Sequence, residues 1–268
     1  MKTKIINAVK WSVKRALPFY LFTFLPFLAA CSHIDEDDRF IYVKPAEVTR
    51  RVLLEDFTGQ RCVNCPKAND EIKALQVQYG EHNVIAVGIH SGPLGFYSKG
   101  DYVGLSTEVG DEYYKHWALD YQPVGIIDRG EPLEYTAWNT RIREELAKTA
   151  PVDIDLVLAI DNDQLTIWAN VRGIEGTTTG NLQLWLTEDN VTAFQLMPDG
   201  SRNMEYQHQH VFRAAVNGTW GEPVTVREGE TFTTQHYSLT APKDWVAGNL
   251  SLVGFVYNDQ GVLQARKL

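Results

Sequence analysis

Cys62-Val63-Asn64-Cys65 is the segment of this 268-residue chain whose residue types and spacing point most directly to chemistry. Two thiols separated by two residues can close on each other or exchange with a disulfide of another protein. The pair lies between a predicted strand and a predicted helix, which puts Cys62 at the positive end of the helix dipole, a position that favours thiolate. Arg61 adds a neighbouring cation. Cys65, one helical turn on, is placed to attack a mixed disulfide formed at Cys62, and Pro66 fits because a first-turn nitrogen has no intrahelical acceptor. Two blander readings stand beside this one. A structural disulfide across four residues constrains little of the unfolded chain and stabilises weakly. A zinc site needs two further ligands, and no second Cys pair exists; His208, His210 and His236 fall in the other half of the chain and read as surface or turn residues, so no metal or other cofactor is expected.

Positioning such a pair takes a strand before it and a helix after it. Val52-Leu53-Leu54 runs into Glu55-Asp56-Phe57 as a buried strand, and Thr58-Gly59-Gln60-Arg61 turns the chain. Ala68, Ile72, Leu75 and Tyr79 then recur at helical spacing, with Gly80 where a C-terminal cap belongs. Val84 to Ile89 is a continuous apolar run of strand length, suited to a sheet covered on both faces. A Gly/Pro loop follows from Ser91 to Gly100. Val109, Tyr113 and Trp117 mark a second helix, Val124-Gly125-Ile126-Ile127 a further strand, and Trp138, Ile142 and Leu146 a last helix before Pro151. The β-α-β-α-β-α order predicts an α/β layer over residues 48–150. From residue 151 to 268 the pattern changes to short alternating strands and turns, beginning with a hairpin about Asp161-Asn162-Asp163. Seven or more strands in this stretch predict an all-β immunoglobulin-like sandwich as a second domain. Its tryptophans, Trp168, Trp185, Trp220 and Trp245, suit either a core or a carbohydrate- or peptide-binding surface.

The N-terminus gives the address. Lys2, Lys4, Lys10, Lys14 and Arg15 precede an apolar run from Leu17 to Ala30 that ends in Leu28-Ala29-Ala30-Cys31. This reads as a lipoprotein signal peptide over residues 1–30, with Cys31 as the lipidated first residue of the mature chain. The run is too short, and too interrupted by Pro18 and Pro26, for a spanning helix. A lipid on Cys31 also accounts for the odd one of three cysteines, leaving only Cys62 and Cys65. Removing residues 1–30 takes away five of the 25 Lys+Arg and none of the 34 Asp+Glu, so 20 − 34 leaves −14. Such a field repels nucleic acid. Residues 31–47 form a tether with an acidic cluster, Asp35-Glu36-Asp37-Asp38, read either as a solvated linker or as a surface-sorting signal.

The strand, turn, Cys-x-x-Cys and helix together resemble the thioredoxin superfamily. That resemblance implies a thioredoxin-like fold and a proton-relay aspartate six positions before the first cysteine, which here is Asp56. It also implies a cis-proline before a strand facing the cysteines, helping to present the substrate backbone; Tyr121-Gln122-Pro123-Val124 looks like that element. The chain departs from the pattern at Arg61, at Val63-Asn64 between the cysteines, and near Asp128 to Tyr135, where a closing strand is hard to find. Over nearly its whole length the order of features resembles the twenty-eight-kilodalton outer-membrane protein family of lipoproteins. These features are the lipobox, Thr58-Gly59-Gln60-Arg61-Cys62-Val63-Asn64-Cys65-Pro66, Asp128-Arg129-Gly130 and Asn217-Gly218-Thr219-Trp220-Gly221-Glu222. The resemblance implies a lipid-anchored outer-membrane protein with its domain on the periplasmic or extracellular face.

Two functions compete. The first is a membrane-tethered thiol-disulfide oxidoreductase acting on protein dithiols or disulfides: Cys62 attacks, Cys65 resolves, Asp56 handles the proton and Pro123 presents the substrate. The second is a surface binding module or adhesin on a thioredoxin-like scaffold. A pure scaffold has little use for Asp56 buried beside a reactive pair, because an unpaired buried carboxylate is costly. The membrane, through Cys31, is the expected partner in either case; nothing in the sequence specifies an oligomeric state.

Overall fold

Residues Val52 to Thr58 form strand β1, and all seven are buried. Side chains alternate across a strand, so β1 serves two cores at once. Val52 and Leu54 pack with Ala68, Ile72 and Leu75 of helix α1 (Cys65–Tyr79), while Leu53 and Phe57 face a second cluster built around Tyr113, Trp185, Phe212 and Phe255. Gly80 ends α1 with φ 95°, a conformation that suits glycine, and its N–H closes on Gln76 O at 2.8 Å. Strand β2 (Val84–His90) runs parallel to β1, from Val52 opposite Val84 to Thr58 opposite His90. Helix α2 (Glu108–His116) is capped by the Thr107 hydroxyl, with Glu108 and Asp111 in its first turn and Lys115 and His116 in its last, each matching the dipole. Strand β3 (Val124–Ile127) then pairs antiparallel with the other side of β1 after a cis Gln122–Pro123 bond. The closing strand that was hard to see in the sequence is β4 (Pro132–Leu133), two residues paired with β3, followed by helix α3 (Trp138–Leu146). The order is β2-β1-β3-β4.

The computed structural model describes residues 48–268, all within one compact unit, Ala46–Leu268. The expected signal peptide, Cys31 and the acidic tether lie outside the described residues. No helix among the described residues is long and apolar enough to cross a membrane. The second half is rich in strands. The hairpin of β5 (Val152–Asp161) and β6 (Gln164–Gly173) joins β12 (Thr231–Thr233) and β13 (Tyr237–Thr240) in a four-stranded sheet. Its apolar face, including Ile154, Leu156 and Ile167, packs on Leu182, Leu184 and Leu186 of β7 (Thr177–Glu188). Strand β7 pairs with β10 (Val211–Ala215), β11 (Glu222–Arg227) and β14 (Leu250–Asn258), and β14 pairs with β15 (Gly261–Lys267). Strand β10 also meets β2, with Val211 opposite Gly88 and Gly88 N–H donating to His210 O at 2.8 Å. One nine-stranded sheet therefore runs from the mixed α/β first half into the β-rich second half. A separate hairpin, β8 (Val191–Leu196) and β9 (Arg202–His208), is inserted between β7 and β10.

Asp128-Arg129 makes the other joint between the halves. Both residues have positive φ, 51° and 59°. The Asp128 carboxylate accepts from Leu53 N–H at 2.8 Å and from Arg50 at 2.5 Å, and Arg50 also donates to Val262 O on β15 at 2.7 Å. Arg129 enters an aromatic box, its guanidinium carbon 3.9 Å from the ring centre of Tyr257, 4.9 Å from Phe255 and 5.6 Å from Trp220. Its nitrogen lies 3.6 Å from fully buried Glu55 on β1. Burial pushes Glu55 up to about 7 against the pull of Arg129, so at pH 8, where the acid is mostly ionised, Arg129→Met is expected to cost roughly 3 kcal/mol. Arg129→Met with Glu55→Gln should recover more than half of that loss, as urea denaturation of the three proteins would show.

Candidate functional site

Cys62 and Cys65 are joined as a disulfide, with Cα atoms 5.4 Å apart and exposures of only 2% and 3%. The helix begins at Cys65, so Cys62 lies just ahead of it, and Cys65 N–H points at the Cys62 sulfur over 3.1 Å. A first-turn N–H with no carbonyl acceptor thus faces the sulfur that would carry the thiolate charge. Gly59 sets the entry to this turn. A Cβ there would come within 2.5 Å of the Leu94 backbone, whose carbonyl accepts from Arg61 N–H at 2.9 Å. Gln122, before the cis-proline, donates to Thr58 O at 2.6 Å and Ser91 O at 3.0 Å, tying the proline turn to the ends of β1 and β2.

The inserted β8–β9 hairpin closes over the turn. Buried Gln195 donates from Nε2 to Cys62 O at 2.9 Å, and Leu196 N–H donates to Gln60 O at 2.8 Å. Fully buried Gln60 answers by donating to Phe194 O and Val103 O, both at 3.0 Å, and accepting from Leu105 N–H at 2.9 Å. The turn that carries the two buried cysteines is therefore tied down by a segment that lies more than 130 residues away in the chain.

Behind the disulfide is a polar cavity of about 30 Å³ whose walls include Asp56, Cys65, Asn69, His90, Tyr206 and His208. The alternation of β1 explains the first of these: Glu55 points to the aromatic box, and its neighbour Asp56 points to the α1 side. Asp56 is buried, its Oδ1 has no hydrogen-bond partner among the described residues, and burial pushes its carboxyl up to about 7. His208 is not the surface residue its sequence context suggests. It is 4% exposed, with Nδ1 3.3 Å from Nε2 of buried His90. Burial holds His208 down at about 4, and burial together with the facing His208 holds His90 well below the usual imidazole range. Around pH 6 the cavity is thus lined by a neutral acid and two neutral imidazoles. His210 sits at positive φ against Asp189 at 3.0 Å, and His236 stacks on Trp168 at 4.5 Å. No group of three or more metal-binding side chains occurs among the described residues. Of the four tryptophans in residues 151–268, Trp185 is fully buried in the core, and Trp220 lies over Arg129.

The raised Asp56 pKa has a signed consequence. Between 3.8 and about 7 the unfolded chain gives up the proton that the folded chain keeps, so this group makes stability fall as pH rises through that window. Asp56→Asn removes the penalty. The oxidised variant should match or approach wild type near pH 4 and exceed it by up to roughly 4 kcal/mol above pH 7, read by urea denaturation across pH. The contribution of the two histidines, which weakens the fold as pH falls below about 6.5, is common to both proteins and cancels in the difference.

No curated protein matches this chain. Among solved structures, HBP35 of Porphyromonas gingivalis is similar over 83% of this chain and 76% of its own, at 17% identity and a TM-score of 0.65, a likeness of fold. A domain of the outer membrane lipoprotein Omp28 from Porphyromonas gingivalis is 27% identical over 45% of this chain and 88% of its own, with a TM-score of 0.30. The family model described as outer membrane protein Omp28 matches residues 110–268. With more than half of its length matched, the chain belongs to the Omp28 family of outer membrane proteins, the lipoprotein family that its sequence resembles.

Proposed function

We propose that this outer membrane protein is a lipid-anchored thiol-disulfide oxidoreductase whose exchanging pair is Cys62 and Cys65. The lipid would sit on Cys31, residues 48–150 would be a thioredoxin-like layer, and residues 151–268 an immunoglobulin-like sandwich that holds it. The β2-β1-β3-β4 order supports the thioredoxin-like reading, with β1 and β2 parallel, the Cys-x-x-Cys between β1 and α1, and Pro123 leading into an antiparallel β3.

One observation carries the redox reading: Asp56, an unpaired buried carboxyl, shares a cavity with Cys65. A disulfide that only braces a turn gains nothing from such a neighbour, and burying it is unfavourable. A resolving thiol does gain. In the forward direction the Cys62 thiolate attacks a protein disulfide and releases one substrate thiolate. Cys65 then gives its proton to ionised Asp56, attacks the Cys62 sulfur, re-forms the Cys62–Cys65 bond and releases the second substrate thiolate. Run backwards, the same steps reduce Cys62–Cys65 at the expense of a protein dithiol.

The burial of both sulfurs favours a second reading, a surface binding module or adhesin in which the pair is inert. Mixed-disulfide trapping separates the two. Cys65→Ser expressed in its own envelope is expected to form discrete adducts on non-reducing gels that vanish in the Cys62→Ser, Cys65→Ser double variant; their absence would leave the binding module. Because Gln195 holds the cover over Cys62, Gln195→Ala should speed reduction of the purified disulfide by dithiothreitol about fivefold, the worth of one hydrogen bond. Cys31→Ser should move the protein from the membrane to the soluble fraction without changing its unfolding midpoint.

A further inference from the structure

The face of the β8–β9 hairpin that does not cover the disulfide forms one wall of an open groove of about 930 Å³ beside the cysteine turn. Phe194, Leu196 and Met204 of the hairpin line it opposite Phe96 and Tyr102 of the loop after β2. Tyr102 and Met204 are 58% and 50% exposed, large apolar surface left in contact with solvent. Three cations, Arg61, Lys99 and Arg202, rim this apolar floor, against a single acid, Asp101. Arg61 lies over the Phe96 ring at 5.2 Å, and none of the three cations has a carboxylate partner among the described residues.

In a chain that carries −14 beyond residue 30, three cations without a carboxylate partner among the described residues, over exposed aromatic and aliphatic surface, are a local reversal of the field. Such a surface attracts an anion and rewards burial of apolar groups next to it. We propose that the groove binds an extended protein segment in which acidic residues alternate with aromatic or aliphatic ones, and that this segment flanks the cysteine presented to Cys62. The choice of a polypeptide as the occupant rests on the thiol-exchange reading, since the redox partner is then a protein; the charge and apolar selectivity rest on the groove alone. Arg61 joins the two sites directly, being both a rim cation and the residue before Cys62.

The test uses a fluorescein-labelled, cysteine-free dodecapeptide alternating Glu and Asp with Phe and Leu, titrated with the oxidised protein and followed by anisotropy. Binding is expected to be at least tenfold tighter than that of the same peptide with Lys and Arg in place of the acids, and to weaken as salt is raised. The Arg61→Glu, Lys99→Glu, Arg202→Glu triple variant, all at exposed positions, should lose about tenfold or more in affinity for the acidic peptide. Met204→Asp should weaken it independently, with an unchanged circular dichroism spectrum and unfolding midpoint in both variants. Equal affinity for acidic and basic peptides, or binding untouched by the triple variant, would overturn the proposal. Peptide binding without any Cys62 adducts would retain the groove and discard the oxidoreductase. Cys62 adducts whose partners show no enrichment in acidic-apolar sequence, with no dodecapeptide binding, would do the reverse.

Discussion

Two consecutive carboxyls on a strand buried from both sides impose the constraint around which this molecule is organised. Glu55 and Asp56 are each denied water, and the alternation of β1 sends them to opposite faces. Glu55 is answered by Arg129, which reaches it from a left-handed turn and is itself enclosed by rings from the second half of the chain. The pair thus ties the α/β layer to the β-rich half and works with the β2–β10 contact to make one sheet of the two. Asp56 is given no such partner. Burial pushes both carboxyls up to about 7, but Glu55 has a cation 3.6 Å away that is held by at least three aromatic rings, whereas Asp56 has no cation beside it among the described residues and shares a cavity with Cys65. That contrast within a single dipeptide is the physical basis for assigning the first a structural task and the second a chemical one.

The same economy is visible in the β8–β9 hairpin. One face supplies Gln195, Tyr206 and His208 to the covered disulfide and its cavity, while the other supplies Phe194, Leu196 and Met204 to the open groove. A substrate in the groove would therefore press on the element that shields the sulfurs. Freeing the turn from the hairpin takes the opening of the Gln195, Leu196 and Phe194 hydrogen bonds, a local event compatible with the rest of the sheet staying intact.

Much of the scaffold was legible in the sequence, because the signals are local. The continuous apolar run of β2, the helical spacing of Ala68, Ile72 and Leu75, the Gly80 cap and the alternation from Val152 to Ile160 each report their own burial. The cysteine turn was legible for the same reason. What escaped is non-local or too short. Two residues of β4 carry no periodicity, and nothing near His208 announces that its strand folds back onto Cys65 from more than 130 residues away. Arg129 escaped as well: the Asp128-Arg129-Gly130 segment stood out, but its aromatic box is assembled from Trp220, Phe255 and Tyr257, which only the sheet topology brings together. Membership of the Omp28 family fixes the address, the outer membrane, and the unpaired Asp56 beside Cys65 is what argues for chemistry there.

If Cys62–Cys65 is a couple that cycles rather than a brace, as proposed, its reduction potential shows it directly. Equilibrating the purified protein with glutathione buffers and counting free thiols by alkylation and mass should find the pair partly reduced within the glutathione range, above about −300 mV. The helix-terminal N–H at Cys62 favours the reduced, ionised form, which is what raises the potential. A pair that stays fully oxidised below about −300 mV would be behaving as a structural disulfide, and the oxidoreductase account would be wrong.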